Sequence, residues 1–219
     1  VTVEADAVSP SSAKLPPSSE LDDEAPVATF TSPPFSETAR LINKVSHNLG
    51  ANQLPLLLAA QDGERTLEAG LARQMSVLEA AGLGPEDVVI ADGQGLPGNR
   101  ITPAAMTSYL VSLTDAPYFT TFLESTPILG VDGSLADVLP EGDPAIGSAH
   151  AKTGTLVGPG TETPYLLETK ALAGYLDAAS GRRLAFAVFV NDVPITEVQA
   201  VLQANADLGA IASQLFQLY

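Results

Sequence analysis

The sequence predicts the α+β class. Segments with an apolar stripe at helical spacing crowd the first half of the chain, apolar runs of strand character crowd the second half, and one long amphipathic run closes it. The strands centre on Ala149-His150-Ala151-Lys152-Thr153-Gly154-Thr155-Leu156, which carries one of only four lysines in an acidic chain. Ala151 and Gly154 leave room, Thr153 and Thr155 offer hydroxyls, and Lys152 offers a cation. Such a strand suits a ligand carboxylate lying along a sheet edge, where backbone hydrogen bonds can hold an extended peptide. Taken alone, the same residues also describe a strand end with one solvated lysine.

Composition narrows the field. The 219 residues suit one domain or a large part of a bigger one, and 45% hydrophobic residues supply a core. A net charge of -16 argues against nucleic-acid backbones and anionic membranes as main partners. A carboxylate-bearing substrate must then find a local positive spot, and Lys152 is a candidate. The absence of cysteine removes disulfides, zinc-thiolate sites and cysteine nucleophiles. With only His47 and His150, far apart in sequence, no metal site is predicted. No apolar run approaches the ~18 residues of a membrane span. Residues 1–10 lack the basic segment and apolar core of a signal peptide.

In order, Val1, Val3 and Ala5 alternate with polar residues as a short strand at most. Residues 1–34 read as a linker or loop rich in Pro, Ser and acid, and the run Glu20-Leu21-Asp22-Asp23-Glu24 as solvated loop. A helix follows, capped by Ser36, with Leu41, Ile42, Val45 and Leu49 on one face; it presents Ser46-His47-Asn48 at its end. A second helix spans Asn52 to Gln61, with Pro55 at a kink or in its first turn. Leu67, Leu71, Met75 and Leu78 mark a third, stopping near Gly82 and Gly84. Val88 to Ala91 is a short strand, and Asp92 to Arg100 a glycine-rich turn in which Asp92 reads as a turn residue. Thr102 and Pro103 open a helix with Met106, Tyr109, Leu110 and Leu113 inward. Phe119 to Leu123 is a short helix, and Pro127 to Leu139 a loop around Asp132-Gly133. The strand Ser148 to Leu156, a Gly/Pro loop over Val157 to Pro164, and strands Leu166 to Leu176 and Leu184 to Val190 follow. A closing helix, Thr196 to Leu218, lines its inner side with Val198, Val201, Leu202, Leu208, Ile211, Ala212 and Leu215.

Ser46-His47-Asn48 and Lys152-Thr153-Gly154 lie 106 positions apart. Together they resemble two of the three motifs of the penicillin-recognising serine acyl-transferases, Ser-x-x-Lys, Ser-x-Asn and Lys-Thr-Gly. Asp92-Gly93-Gln94-Gly95-Leu96 with Asn99-Arg100 and Thr102-Pro103 resembles a segment of one branch, the D-alanyl-D-alanine carboxypeptidase/endopeptidase or class C low-molecular-mass penicillin-binding proteins. Pro127 to Leu135, Ala151 to Leu156 and Ala171 to Tyr175 resemble further signatures of that branch, in its order, from about Pro33 to the end. Each motif alone is weak; five in order are specific. Gln94 and Pro97 depart from the small polar residues of the family pattern, and Pro55 lies where the family runs helically.

The resemblance implies a transpeptidase-like fold, an antiparallel sheet flanked by helices plus a helical lobe, with 35–219 as its carboxyl-terminal part. It implies that Ser46 passes a proton to the leaving group and that Asn48 hydrogen-bonds the substrate amide. It places Lys152 as positive charge near the substrate carboxylate and Ser46. Thr153 and Thr155 would bind that carboxylate by hydroxyl, Gly154 would keep the strand clear where substrate lies, and the Thr155 N–H would serve the oxyanion. Without the other motifs Ser46 reads as a helix end and Asn48 as a cap. His47 reads as a solvated or gap-filling side chain, and His150 is assigned no role.

The nucleophile is not evident. Ser11-Ser12-Ala13-Lys14 matches the first motif by letters, but Pro16 and Pro17 forbid the helix that would hold its serine and lysine on one face. The expectation is a carboxyl-terminal part of a longer enzyme, inactive alone, whose other part holds the nucleophile. The resemblance further implies peptidoglycan peptides as substrate, β-lactams as acylating ligands, no cofactor, and export to the cell wall. A non-catalytic domain that only holds wall peptides, or a serine β-lactamase or esterase, are the alternatives; Asp92 to Pro103 speaks against the latter pair.

Overall fold

The computed structural model describes residues 28–219. The expected strand at Val1 to Ala5, the Ser11 to Lys14 match, the acidic run and most of the 1–34 linker lie outside the described residues.

Helix α1 (Phe35–Val45) takes Pro34 at its cap position without a side-chain bond, so Ser36 is not the cap. Its inward stripe is narrower than the spacing predicts. Ile42 is buried, Leu41 and Val45 are exposed, and Leu49 belongs to the next helix. The reason is an abrupt stop. Ser46 ends α1 in the left-handed region at φ 56, ψ 50, with its N–H on the Ile42 carbonyl. This conformation costs a non-glycine residue about 1–2 kcal/mol. His47 then caps α2 (Asn48–Gln61), its Nδ1 accepting from the Gly50 N–H at 2.9 Å. It is exposed to solvent, as expected, and acts as a structural cap as well. That cap starts α2 at Asn48 instead of Asn52, so Pro55 falls inside the helix, buried, instead of in its first turn.

Helix α3 (Leu67–Ala80) is capped by Thr66 and stops before Gly82, whose φ is 87. Strands β1 (Val88–Val89) and β2 (Arg100–Ile101) pair antiparallel. β1 is shorter than expected because the Ala91 N–H turns to the Asn99 side chain at 2.9 Å. Between the two strands, Asp92 Oδ1 accepts from the Gln94, Gly95 and Leu96 N–H groups and from Asn99 Nδ2. Asp92 is the turn residue that the sequence suggests. Thr102 caps α4 (Pro103–Leu113) as expected, with Leu110 and Leu113 buried, and α5 (Phe119–Ser125) follows.

Strands β3 (Ala149–Pro159), β4 (Tyr165–Asp177) and β5 (Arg183–Ile195) form an antiparallel sheet in the order β3-β4-β5. They run longer than the sequence suggests, leaving only residues 160–164 as the first hairpin loop, and β3 carries a bulge between Leu156 and Val157. Helix α6 (Ala200–Leu218) starts four residues after Thr196. Its buried residues are Leu208, Gly209, Ala212 and Ser213, whereas Val198 and Leu202 are exposed, so the inner side is narrower than expected. Ala149 and Ala151 of β3, Leu172 and Leu176 of β4, Phe186 of β5, and Leu208 and Ala212 of α6 share one core with Leu129 and Leu135. On the opposite face of the sheet, Tyr175 meets the Phe119 ring edge-to-face at 5.2 Å and donates its hydroxyl to the Leu110 carbonyl. That contact ties α4 and α5 to the sheet. No helix among the described residues is long and apolar enough to cross a membrane.

Candidate active site

Two contacts of one ammonium, with a hydroxyl and with a backbone carbonyl, organise the site. Lys152 Nζ donates to Ser46 Oγ at 2.9 Å and to the Thr153 carbonyl at 2.7 Å. Ser46 reaches this place because the end of α1 is anchored to the 125–135 segment. Asn43 Nδ2 bonds Ser125 Oγ at 2.8 Å, and the Lys44 ammonium grips both oxygens of Asp132. Asp132 also accepts the Ile128 N–H at 2.8 Å. Burial alone would raise its pKa, but the Ile128 and Lys44 bonds hold it below the usual carboxylate range. Gly133 is required beside it: its φ is +58, and a Cβ there would stand 2.6 Å from the Lys44 carbonyl oxygen.

Among the described residues, β3 offers an open edge beyond Ala151. The Leu129 N–H bonds the Ala149 carbonyl at 2.9 Å, and the Ala151 N–H bonds the Pro127 carbonyl at 3.0 Å. The backbone groups of odd-numbered β3 residues therefore point away from β4, while Ser148, an even-numbered neighbour, receives the Asp177 N–H from the β4 side. The covering segment ends at Ala151. By the same alternation, Thr153 and Thr155 present their N–H and C=O groups along the free edge, with the Thr153 carbonyl already taken by Lys152. An extended peptide can add there as a strand.

The electrostatics favour an anion. Lys152 and Lys170 are absent from all four ion pairs among the described residues. Burial, reinforced by the neighbouring Lys170 charge, lowers the Lys152 pKa from an ordinary 10.5 to about 8. Burial likewise lowers that of Lys170. A chain of net charge -16 thus keeps two cations without an ion-pair partner among the described residues, one on the edge strand β3 and one beside it on the central strand β4.

The structure brings Ser46, Lys152, Thr153 and Thr155 to one region. Asn48 stands exposed at the first residue of α2, two positions beyond Ser46. At Gly154 an added Cβ would meet only Ala171 Cβ, at 3.4 Å, so the fold itself has room for a small side chain there. Two partners were not legible in the sequence. Ser134 Oγ and Thr153 Oγ1 are hydrogen-bonded at 2.8 Å, a pair in which either hydroxyl can donate; Ser134 sits in a 3-10 turn, Gly133–Leu135, that no sequence periodicity marks. Lys170 Nζ donates to Thr155 Oγ1 at 2.8 Å across the β3–β4 register. Its signal was a lysine among the inward positions of an apolar strand, in step with Leu172, Gly174 and Leu176.

A helical lobe tied to a short antiparallel sheet, with a lysine on the sheet edge meeting a serine at a helix end, is the frame of penicillin-binding proteins and serine β-lactamases. Comparison with solved structures gives the same class. The crystal structure of penicillin binding protein 4 from Haemophilus influenzae superposes with a TM-score of 0.66 at 24% identity, over 83% of this chain and 39% of that one. TLA-3 extended-spectrum β-lactamase gives a TM-score of 0.58 at 16% identity, over 84% of this chain and 65% of that one. Within the class, the model of the D-Ala-D-Ala carboxypeptidase 3 (S13) family matches residues 11–215, and the chain belongs to that family. A curated relative, D-alanyl-D-alanine carboxypeptidase DacB of Haemophilus influenzae, is 28% identical over 172 residues, which are 75% of this chain. The match spans 33% of that relative's length.

Proposed function

We propose that the chain is the carboxyl-terminal part of a serine D-Ala-D-Ala carboxypeptidase/endopeptidase acting on peptidoglycan stem peptides. The observation that carries this reading is the 2.9 Å contact between Lys152 Nζ and Ser46 Oγ, between motifs a hundred residues apart. An ammonium only donates, so the Ser46 oxygen accepts from it and its own proton is left to pass on. The same charge lies at the start of the free edge where a peptide carboxylate would come to rest.

The reaction is a two-step acyl transfer. The oxygen of a serine outside this chain, relieved of its proton by its own lysine, bonds to the carbonyl carbon before the terminal D-alanine. The C–N bond then breaks, and the departing amine takes a proton through Ser46 Oγ. Water next attacks the ester carbon, the serine recovers its proton, and the shortened peptide leaves. The Thr155 N–H on the free edge supports the developing oxyanion. Asn48 holds the substrate amide, Thr153 and Thr155 hold the terminal carboxylate, and Gly154 lets the substrate lie flat on β3. β-Lactams would acylate the same serine. A cell-wall substrate places the enzyme outside the cytoplasmic membrane.

The test is to treat the full-length protein with a labelled penicillin and map the modified residue by mass spectrometry. Labelling of a serine outside this chain, at a Ser-x-x-Lys helix start, supports the reading. Labelling of Ser11 would instead place the nucleophile in this chain. No labelling, with binding of wall peptides retained, would make this a holding domain. Rapid turnover of the penicillin without release of D-alanine from peptides would favour a β-lactamase.

A further inference from the structure

Lys170 is an unusual lysine. It is only 4% exposed, in a strand whose inward neighbours are Leu172, Gly174 and Leu176, and no carboxylate among the described residues pairs with it. Desolvating an ammonium without a counter-charge is expensive, and such groups persist where they have a task. Its one side-chain partner is the Thr155 hydroxyl at 2.8 Å, directly opposite in the β3–β4 register. Thr155 itself is exposed at the open edge of β3.

We infer that Lys170 is a positioning residue for carboxylate recognition: its ammonium turns the Thr155 hydroxyl outward as a donor and adds a second positive charge behind the Lys152 edge. The inference rests on the reading proposed above. A hydroxyl has one proton to give and can accept, whereas an ammonium has no lone pair. While Lys170 donates to Thr155 Oγ1, the Thr155 proton must point elsewhere, and the open side is the free strand edge. An approaching carboxylate therefore meets a donor already oriented and polarised by a cation, which spares the reorganisation it would otherwise impose. Lys152 treats Ser46 in the same way at 2.9 Å, so the strand pair carries two lysine-to-hydroxyl contacts with different duties. One prepares a proton route and the other prepares a carboxylate site. The lowered pKa of Lys152, to which Lys170 contributes repulsion, is consistent with two ammonium groups sharing one unneutralised region.

The experiment uses full-length protein, fluorescent penicillin, and the methyl ester of that probe, which lacks the negative charge. Wild type and Lys170→Met, which keeps the apolar stem, are compared for acylation rate against probe concentration. The expected result is an acylation efficiency lower by about tenfold or more with the acid, carried by weaker binding rather than slower acylation at saturation. With the ester the change should stay within about twofold, in the range of surface effects. Lys170→Arg should restore most of the loss, and Lys170→Met should add nothing in a Thr155→Val background. Equal losses on acid and ester, or no loss on either, would overturn the inference while leaving the acyl-transfer reading intact. If Lys170→Met does not melt cooperatively, Lys170→Gln is judged by the same two criteria. A wild-type protein that takes no label overturns the parent reading and this inference with it.

Discussion

The Lys44 ammonium bonds both carboxylate oxygens of Asp132, at 2.9 and 2.7 Å, two residues before Ser46. This pair fastens the end of α1 to the segment that also covers the outer edge of β3. Asp132→Asn keeps an acceptor for the Ile128 N–H but loses the ion pair. Stability should fall by about 1 kcal/mol, as for a partly exposed pair. Labelling by penicillin should slow roughly ten- to a hundredfold, because Ser46 is no longer held at its place. Thermal melts and labelling kinetics on one preparation separate the two effects.

Gly133 is the backbone counterpart of that anchor. Gly133→Ala must place a Cβ against the Lys44 carbonyl at a positive φ, which combines strain of about 1–2 kcal/mol with a backbone clash. The variant should melt earlier than Asp132→Asn and label at least as slowly. A protein with unchanged melting and labelling would show that the end of α1 is held by something else.

Gly154 and Gly174 should respond oppositely. At Gly174 a Cβ would run into the β3 backbone at His150 and Ala151, so Gly174→Ala should unfold or strongly destabilise the protein. At Gly154 the only close neighbour would be Ala171 Cβ, so Gly154→Ala should melt within about 1 kcal/mol of wild type. Its acylation should nevertheless fall by about tenfold or more, because the methyl group occupies space the substrate needs. Loss of stability at both positions would remove the argument that the glycine of β3 serves the substrate.

The pH response follows from Lys152. Its burial, with repulsion from Lys170, sets its pKa at about 8, and the proposed role needs the charged form. The second-order rate of penicillin labelling should therefore decline above about pH 8, roughly tenfold per further unit, since it reports the free enzyme. Lys170→Met removes the repulsion and should move that limb upward. Between about pH 8 and 10.5 the unfolded chain binds more protons than the folded one. The contribution of this lysine to stability therefore rises with pH across that window and is unfavourable and flat below it. A flat labelling profile through pH 10 would contradict the role of the ammonium.

Much of this molecule was readable from local chemistry. Thr102 before Pro103 announced α4, the stripe from Leu67 to Leu78 announced α3, and Asp92 in its glycine-rich turn caps backbone N–H groups as its type suggests. The misplacements arise where the chain overrides periodicity. The left-handed Ser46 and the His47 cap cut one helix and start the next four residues early, which no apolar stripe records. The strands outrun their apolar cores, so the register that sets Lys170 opposite Thr155 was hidden by a loop read as longer than it is. Ser134 was hidden for a related reason, since only tertiary folding brings its short 3-10 turn to Thr153.

The central claim is that Ser46 and Lys152 act as one proton-handling unit. A double-mutant cycle tests it most directly, measuring D-alanine release by full-length protein carrying Ser46→Ala, Lys152→Met, or both. Each single change should lower the turnover number by about a hundredfold or more, and the double variant should be no more than about threefold slower than the slower single. Losses that multiply, each residue costing as much with its partner absent as with it present, would contradict the account.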